Sequence, residues 1–147
     1  MKILVLNGPN LNMLGIREPG IYGKESYAEL VRMIEEAAEK EGIEAECRQS
    51  NHEGILVDWI QEAYGVFDGI VINPGAYTHT SIALLDALKA VVIPAVEVHI
   101  SDVRKREEYR RVSYVREACV KTIMGQGLQG YVQGMKFLKE YLGGAGK

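Results

Sequence analysis

Residues Gly69–Ser81 read GIVINPGAYTHTS. The run Ile70-Val71-Ile72 is apolar without alternation, and it is bounded by Gly69 and by Asn73-Pro74-Gly75. That is the pattern of a strand covered on both faces, as in a parallel sheet. The chain then turns polar at Asn73, Tyr77, Thr78, His79, Thr80 and Ser81, and Ile82–Leu88 follows with helical character. In open α/β sheets the ligand crevice lies where strands end and the next helices begin. Amide, imidazole and hydroxyl groups at that point suit a small polar molecule. The competing reading makes Thr80 or Ser81 a helix cap only and leaves His79 on the surface.

Outward from this stretch, Lys2–Leu6 reads as a first, central strand, stopped by Asn7-Gly8-Pro9-Asn10. Residues 10–25 form a long loop with Gly15, Pro19, Gly20 and Gly23, and it carries Arg17 and Tyr22. Loops of that length in a compact domain are functional lids or disordered tips, and the cargo favours a lid. The alternative is an exposed Arg17 with Tyr22 packed down as an anchor. Ser26-Tyr27-Ala28-Glu29 is a capping box opening a helix whose stripe is Tyr27, Leu30, Val31, Ile34, Ala37 and Ala38. Gly42 ends it, and Ile43–Gln49 reads as a short, polar edge strand. Ser50-Asn51-His52-Glu53 is a second capping box, before a helix with Ile55, Leu56, Trp59, Ile60 and Ala63 on one side. His52 in that first turn faces either the crevice or solvent.

Val92–Ile100 is a fourth strand, with Val96, Val98 and Ile100 on one face and Glu97 and His99 on the other. Cys119–Met124 is a fifth strand, and Leu128–Leu142 a last helix. Strands alternating with helices predict a three-layer α/β fold: a doubly wound, five-stranded parallel sheet in flavodoxin-like order. The 147 residues suit a single domain, 1–147, and no repeat or linker divides them.

Composition narrows the class. Hydrophobic residues make up 47% and charged residues 25%, as in ordinary globular chains. No apolar run approaches the roughly 20 residues of a membrane span, and the apolar part of Met1–Leu6 is short for a signal peptide. Cys47 and Cys119 are far apart and outside any CxxC pattern, which predicts reduced thiols in the cytoplasm, with no disulfide and no zinc site. A net charge of −3 argues against general nucleic-acid binding.

The first, third and fourth strands all end in polar residues: Asn7 and Asn10, then Asn73 to Ser81, then Glu97 to Ser101. In a parallel sheet these ends lie side by side, so separate polar clusters converge on one crevice. Glu97 and His99, two apart on a strand, project to the same face. A carboxylate beside an imidazole fixes its tautomer and favours its charged form, which suits a general acid. A structural pair at a strand end is the plain alternative. Arg104–Arg116 is rich in arginine with Glu107 and Glu108 between, and it reads as a solvated helix laced with ion pairs. Arg106 or Arg110 is placed to turn inward onto a carboxylate.

Nucleotide motifs do not fit. Asn7-Gly8-Pro9-Asn10 is no phosphate loop, and Gly125-Gln126-Gly127 with Gly130 follows the fifth strand rather than the first. A module for FMN or a phosphorylated ligand would need backbone donors where Pro9 removes one. A serine hydrolase built on Ser81 or Ser101 would need a G-x-S-x-G elbow that is absent.

Taken together, LNGPNLNMLGIREPGIYG, RQSNHEG, INPGAYTHTS, EVHISDVRKREEYRR and GQGLQGY resemble the type II dehydroquinases, in order and across nearly the whole chain. The resemblance implies a flavodoxin-like fold and dehydration of 3-dehydroquinate to 3-dehydroshikimate through an enolate. That reaction is the third step of the shikimate pathway towards chorismate and the aromatic amino acids. It further implies no cofactor, no metal, and a homododecamer built as four trimers. By the same resemblance Tyr22 is the base, Arg17 its activating neighbour and His99 the proton donor to the departing hydroxyl. Asn10 holds a water or the enolate oxygen. Asn73, His79, Ile100, Ser101 and Arg110 bind substrate, Arg106 assists near the lid, and Asp86 reaches the site of a neighbouring subunit. One departure stands at Asp102, where many members carry Asn.

The implied chemistry makes an electrostatic demand. A tyrosine acts as a base only when ionised, and its reference pKa is about 10. Lowering that to near 7 needs roughly 4 kcal/mol. One guanidinium at about 4 Å supplies about that at an effective dielectric near 20. Desolvation alone would act in the opposite sense, so the scheme requires Arg17.

Overall fold

The computed structural model describes residues 1–16 and 18–145. Their centre is a five-stranded, all-parallel sheet in the order β2-β1-β3-β4-β5. The strands are β1 Lys2–Asn7, β2 Glu44–Gln49, β3 Gly69–Asn73, β4 Ala95–His99 and β5 Lys121–Met124. The helices are α1 Pro19–Tyr22, α2 Tyr27–Lys40, α3 Glu53–Glu62, α4 Ile82–Val91 and α5 Gln129–Ala145. This is the doubly wound, flavodoxin-like α/β arrangement expected from the sequence. β3 is the middle strand, and β1 lies inside the sheet between β2 and β3.

Period-two alternation sorts each inner strand between two cores. Ile3, Val5, Val71, Val96 and Val98 meet Leu30 and Ile34 of α2 and Tyr131, Met135 and Leu138 of α5. Leu4, Leu6, Ile70, Ile72 and Ala95 meet Leu56 and Ile60 of α3 and Leu84 and Leu88 of α4. Each of these fully buried Val, Leu and Ile side chains contributes roughly 1.5–3 kcal/mol from area removed from water. Helices on both faces explain why Ile70-Val71-Ile72 shows no polar alternation.

Local signals set most boundaries. The Ser26 side chain accepts from the Glu29 backbone N–H, and that of Ser81 accepts from the Leu84 N–H, so both residues cap helices. The second capping box does not form: His52 is the N-cap of α3 without a side-chain bond, and the Ser50 hydroxyl accepts from the His52 N–H instead. The fourth strand begins at Ala95 rather than Val92, because Val92 closes α4 in the left-handed region at φ 56°. The fifth begins at Lys121 rather than Cys119.

Two larger departures concern the segments around the crevice. Residues 10–25 are not structureless, since a 3-10 turn at Leu11–Met13 and α1 lie within them. The stretch Arg104–Arg116 is no α-helix. It folds as 3-10 turns at Val103–Lys105, Glu108–Arg110 and Val115–Ala118. Short-range ion pairs are compatible with either form, so charge alternation alone could not separate them. Tertiary bonds favour the broken path: the Tyr114 N–H donates to the Thr78 carbonyl, and Arg116 reaches Glu97.

Between β1 and β3 the sheet order reverses, which is the switch point where such folds bind ligands. There Gly8 donates its N–H to the Asn73 carbonyl at 2.8 Å. A Cβ on Gly8 would lie 2.5 Å from the Pro74 carbonyl oxygen, so the two turns meet backbone to backbone.

Candidate active site

A cleft opens over the C-terminal ends of β1, β3 and β4. It is lined by Asn10, Tyr22, Asn73, His79, His99, Ile100, Ser101, Arg106 and Arg110, with Pro9, Leu11, Leu14 and Val103 as its apolar wall. All the proposed site residues thus gather there except Asp86, which is exposed on α4 and absent from the lining, and Arg17, which lies outside the described residues.

His99 ends β4 and is buried. Its Nε2 lies 2.6 Å from Glu97 Oε2, and because a carboxylate oxygen accepts, the ring donates from Nε2. Nδ1 is therefore the nitrogen left for the cleft. Glu97 is fully buried and saturated with donors. Thr78 and Ser113 donate to Oε2 at 2.6 and 2.8 Å, while Arg116 and Thr122 donate to Oε1 at 3.1 and 3.2 Å. Burial pushes this carboxyl up, but His99, Thr78 and Ser113 outweigh it and hold the pKa at about 2. The pair noticed in the sequence is thus one edge of a larger network. Thr78 and Arg116 lie in stretches noted above, but nothing in the sequence tied them, Ser113 or Thr122 to Glu97, because only the tertiary fold brings the four together.

Tyr22 stands at the end of α1 and also lines the cleft. Arg106 donates from Nη1 to its hydroxyl oxygen at 2.6 Å, with the guanidinium carbon 5.3 Å from the ring centroid. Arg110 is turned inward as expected, and its Nε donates to Glu107 at 2.7 Å. His79 holds its ring through Nδ1, 2.6 Å from the Val112 carbonyl; that oxygen only accepts, so Nδ1 carries the hydrogen. Burial draws His79 below its ordinary pKa, and the His99 and Arg110 charges act the same way against the Val112 carbonyl. That direction favours the neutral imidazole, in which Nε2 is an acceptor.

Backbone strain marks the near wall. Asn10 has φ 71° and ψ −3°, a left-handed conformation that Asn tolerates better than most residues. Its N–H donates to Asn51 Oδ1 at 3.0 Å, and Gln49 Nε2 donates to the same oxygen at 3.1 Å and to the Gly8 carbonyl at 3.1 Å. The RQSN stretch therefore works as a brace for this loop, a role invisible in the sequence. Ser81 caps α4 and Ser101 lines the cleft, and among the described residues neither is bonded to a histidine.

Comparison with known proteins gives the family and the fold. The family profile described as Dehydroquinase class II matches residues 1–139. The chain belongs to the class II dehydroquinase family. A 3-dehydroquinate dehydratase of Clostridium acetobutylicum is 56% identical over 97% of this chain and 99% of its own length. The crystal structure of a type II dehydroquinase from Butyrivibrio crossotus superposes with a TM-score of 0.93 at 57% identity, covering 95% of this chain and 97% of that one. A type II dehydroquinase from Propionibacterium acnes gives a TM-score of 0.91 at 42% identity, with 95% and 96% covered. Membership in this dehydroquinase family agrees with the resemblance read from the motifs and sets aside the flavin-module and serine-hydrolase readings.

Proposed function

We propose that the cleft dehydrates 3-dehydroquinate to 3-dehydroshikimate, with Tyr22 as base and His99 as acid. The enzyme class, a hydro-lyase of the shikimate pathway, follows from the family. The observation that carries the residue roles is the presence of two dyads at one cleft: Tyr22 with Arg106, and His99 with Glu97.

The substrate is a ketone with a hydroxyl beta to it. The Tyr22 oxygen removes a proton alpha to the ketone, and the C–H electron pair becomes an enolate. Arg106, and Arg17 in this reading, stabilise negative charge on the phenolic oxygen. Asn10 holds a water or hydrogen bond at the enolate oxygen. The enolate collapses, the bond to the beta hydroxyl breaks, and the proton on His99 Nδ1 leaves with that oxygen as water. General-acid help of this kind is worth about 10²–10⁴-fold. Glu97 remains ionised throughout and keeps the ring oriented. Arg110 grips the substrate carboxylate, while Asn73, His79, Ile100 and Ser101 hold its hydroxyls. The scheme uses side chains alone.

Residues 1–147 form one catalytic unit in this reading, and the assembly is a dodecamer of four trimers in which Asp86 serves a neighbour's site. The outward position of Asp86, beside the 54% exposed Ile82, supports that contact. The unpaired Cys47 and Cys119 fit a cytoplasmic location. Among the described residues no helix is long and apolar enough to cross a membrane.

The test is ultraviolet absorbance of a new conjugated enone on mixing with 3-dehydroquinate. Appearance with the natural protein and loss with Tyr22→Phe support the scheme; undiminished turnover by Tyr22→Phe discards the tyrosine base. Borohydride treatment with substrate present should not inactivate, since no lysine forms a Schiff base. Light scattering that gives a monomer would remove the role of Asp86.

A further inference from the structure

We propose that Tyr131, which does not line the cleft, is a positioning residue that fixes the polarity of the Asn73 amide, so that the cleft presents a hydrogen-bond donor there. The inference rests on the reading of Asn73 as a substrate contact. Tyr131 lies in the first turns of α5 and is fully buried, yet its hydroxyl is bonded at both ends. It donates to Asn7 Oδ1 at 2.6 Å and accepts from Asn73 Nδ2 at 2.8 Å. Burial pushes this phenol well above its ordinary pKa, so the hydroxyl keeps its hydrogen. A hydroxyl has one hydrogen, and with that hydrogen spent on Asn7 it can meet Asn73 only as an acceptor.

The other end of the Asn73 amide is tied as well, because Oδ1 accepts from the Gly75 N–H at 3.1 Å. Neither end can exchange without leaving two donors or two acceptors face to face. Asn7 and Asn73 are paired in register at the ends of β1 and β3, so the phenol spans the two strands at the switch point. One hydrogen of Asn73 Nδ2 remains, on a residue that lines the cleft. The site therefore selects an acceptor there, a hydroxyl lone pair or carboxylate oxygen of the substrate. Without the phenol only the Gly75 N–H would hold the amide, and Nδ2 would lose its fixed place and part of that discrimination.

The experiment is a kinetic double-mutant cycle on the full chain with 3-dehydroquinate, using Tyr131→Phe, Asn73→Ala and both together. Tyr131→Phe should lower kcat/KM about tenfold, the scale of one ordinary hydrogen bond, mainly through KM. In the Asn73→Ala background it should add nothing. Effects that multiply, or an unchanged kcat/KM in Tyr131→Phe, would overturn the inference. An unchanged kcat/KM in Asn73→Ala would instead overturn the reading of Asn73 as a substrate contact. Should Tyr131→Phe fail to fold, Asn7→Ala takes its place. It frees the phenolic hydrogen to turn towards Asn73, and the same fall and the same non-additivity are expected; multiplication of effects counts against the proposal.

Discussion

Arg106 and Tyr22 are 84 residues apart in the chain and 2.6 Å apart in the fold, with a guanidinium nitrogen donating to the phenolic oxygen. The contact joins the loop after β1 to the loop after β4 across the mouth of the cleft. The negative charge that oxygen must carry before it takes the proton is met by a donor already in place. Arg106→Gln should therefore lower kcat at neutral pH by about 10–10³, because losing an adjacent positive charge raises an acid's pKa by about 1–3 units and leaves less tyrosine ionised. Steady-state enone formation measures it, and an unaltered kcat would leave the activation to Arg17 alone.

Glu97 should make acid stability steep. Its folded pKa of about 2 lies below the ordinary 4.5, so the unfolded chain binds the proton more readily. The stabilisation, roughly 3 kcal/mol, is present above pH 4.5 and is lost as pH falls towards 2. Urea midpoints measured across that window should fall less steeply for Glu97→Gln. Equal slopes in both proteins would show that Glu97 does not carry the acid sensitivity.

Glu97→Gln should also be costly at neutral pH. The substituted amide turns donors towards Thr78, Ser113 and His99, or towards Arg116 and Thr122, whichever way it rotates. Removing one partner of a buried, bonded charge pair costs about 3–5 kcal/mol. A denaturation midpoint at pH 7 close to that of the natural protein would contradict the network.

Gly8→Ala should cost about 1–3 kcal/mol, because the new methyl would lie 2.5 Å from the Pro74 carbonyl oxygen and backbone must yield. The same shift would move Asn10 and Asn73, so kcat/KM should drop with stability. A variant as stable and active as the natural protein would show that the two turns separate easily.

Both cysteines should resist thiol reagents in the native state. Burial pushes each thiol up to about 12, with nearby carboxylates adding to the rise. At pH 8 a colorimetric disulfide reagent should titrate no thiol until urea is added, and then both. Because the folded pKa values are raised, the associated stabilisation is complete below pH 9 and lost as pH climbs towards 12.

Much of the site was legible before the fold, but unevenly. Strand ends that turn polar at Asn7, Asn73 and His99 pointed to one crevice, because parallel strands place like ends together. The Glu97–His99 pair was visible from a spacing of two. What surrounds that pair was not, since Thr78, the turn holding Ser113 and Arg116, and Thr122 come from three separate segments. The basic stretch misled for a related reason. Its charges satisfy a helix pattern locally, while its bonds to Thr78 and Glu97 are long-range and pull it into short turns.

Sequence by itself determined the layered sheet, its two cores and the end at which chemistry sits, because periodicity and turn residues act over a few neighbours. Tertiary structure alone decided that Arg106 meets the phenol, how many donors surround Glu97, and which way the Asn73 amide faces. Those outcomes depend on hydrogen-bond directions between residues tens of positions apart, and local sequence has no access to them.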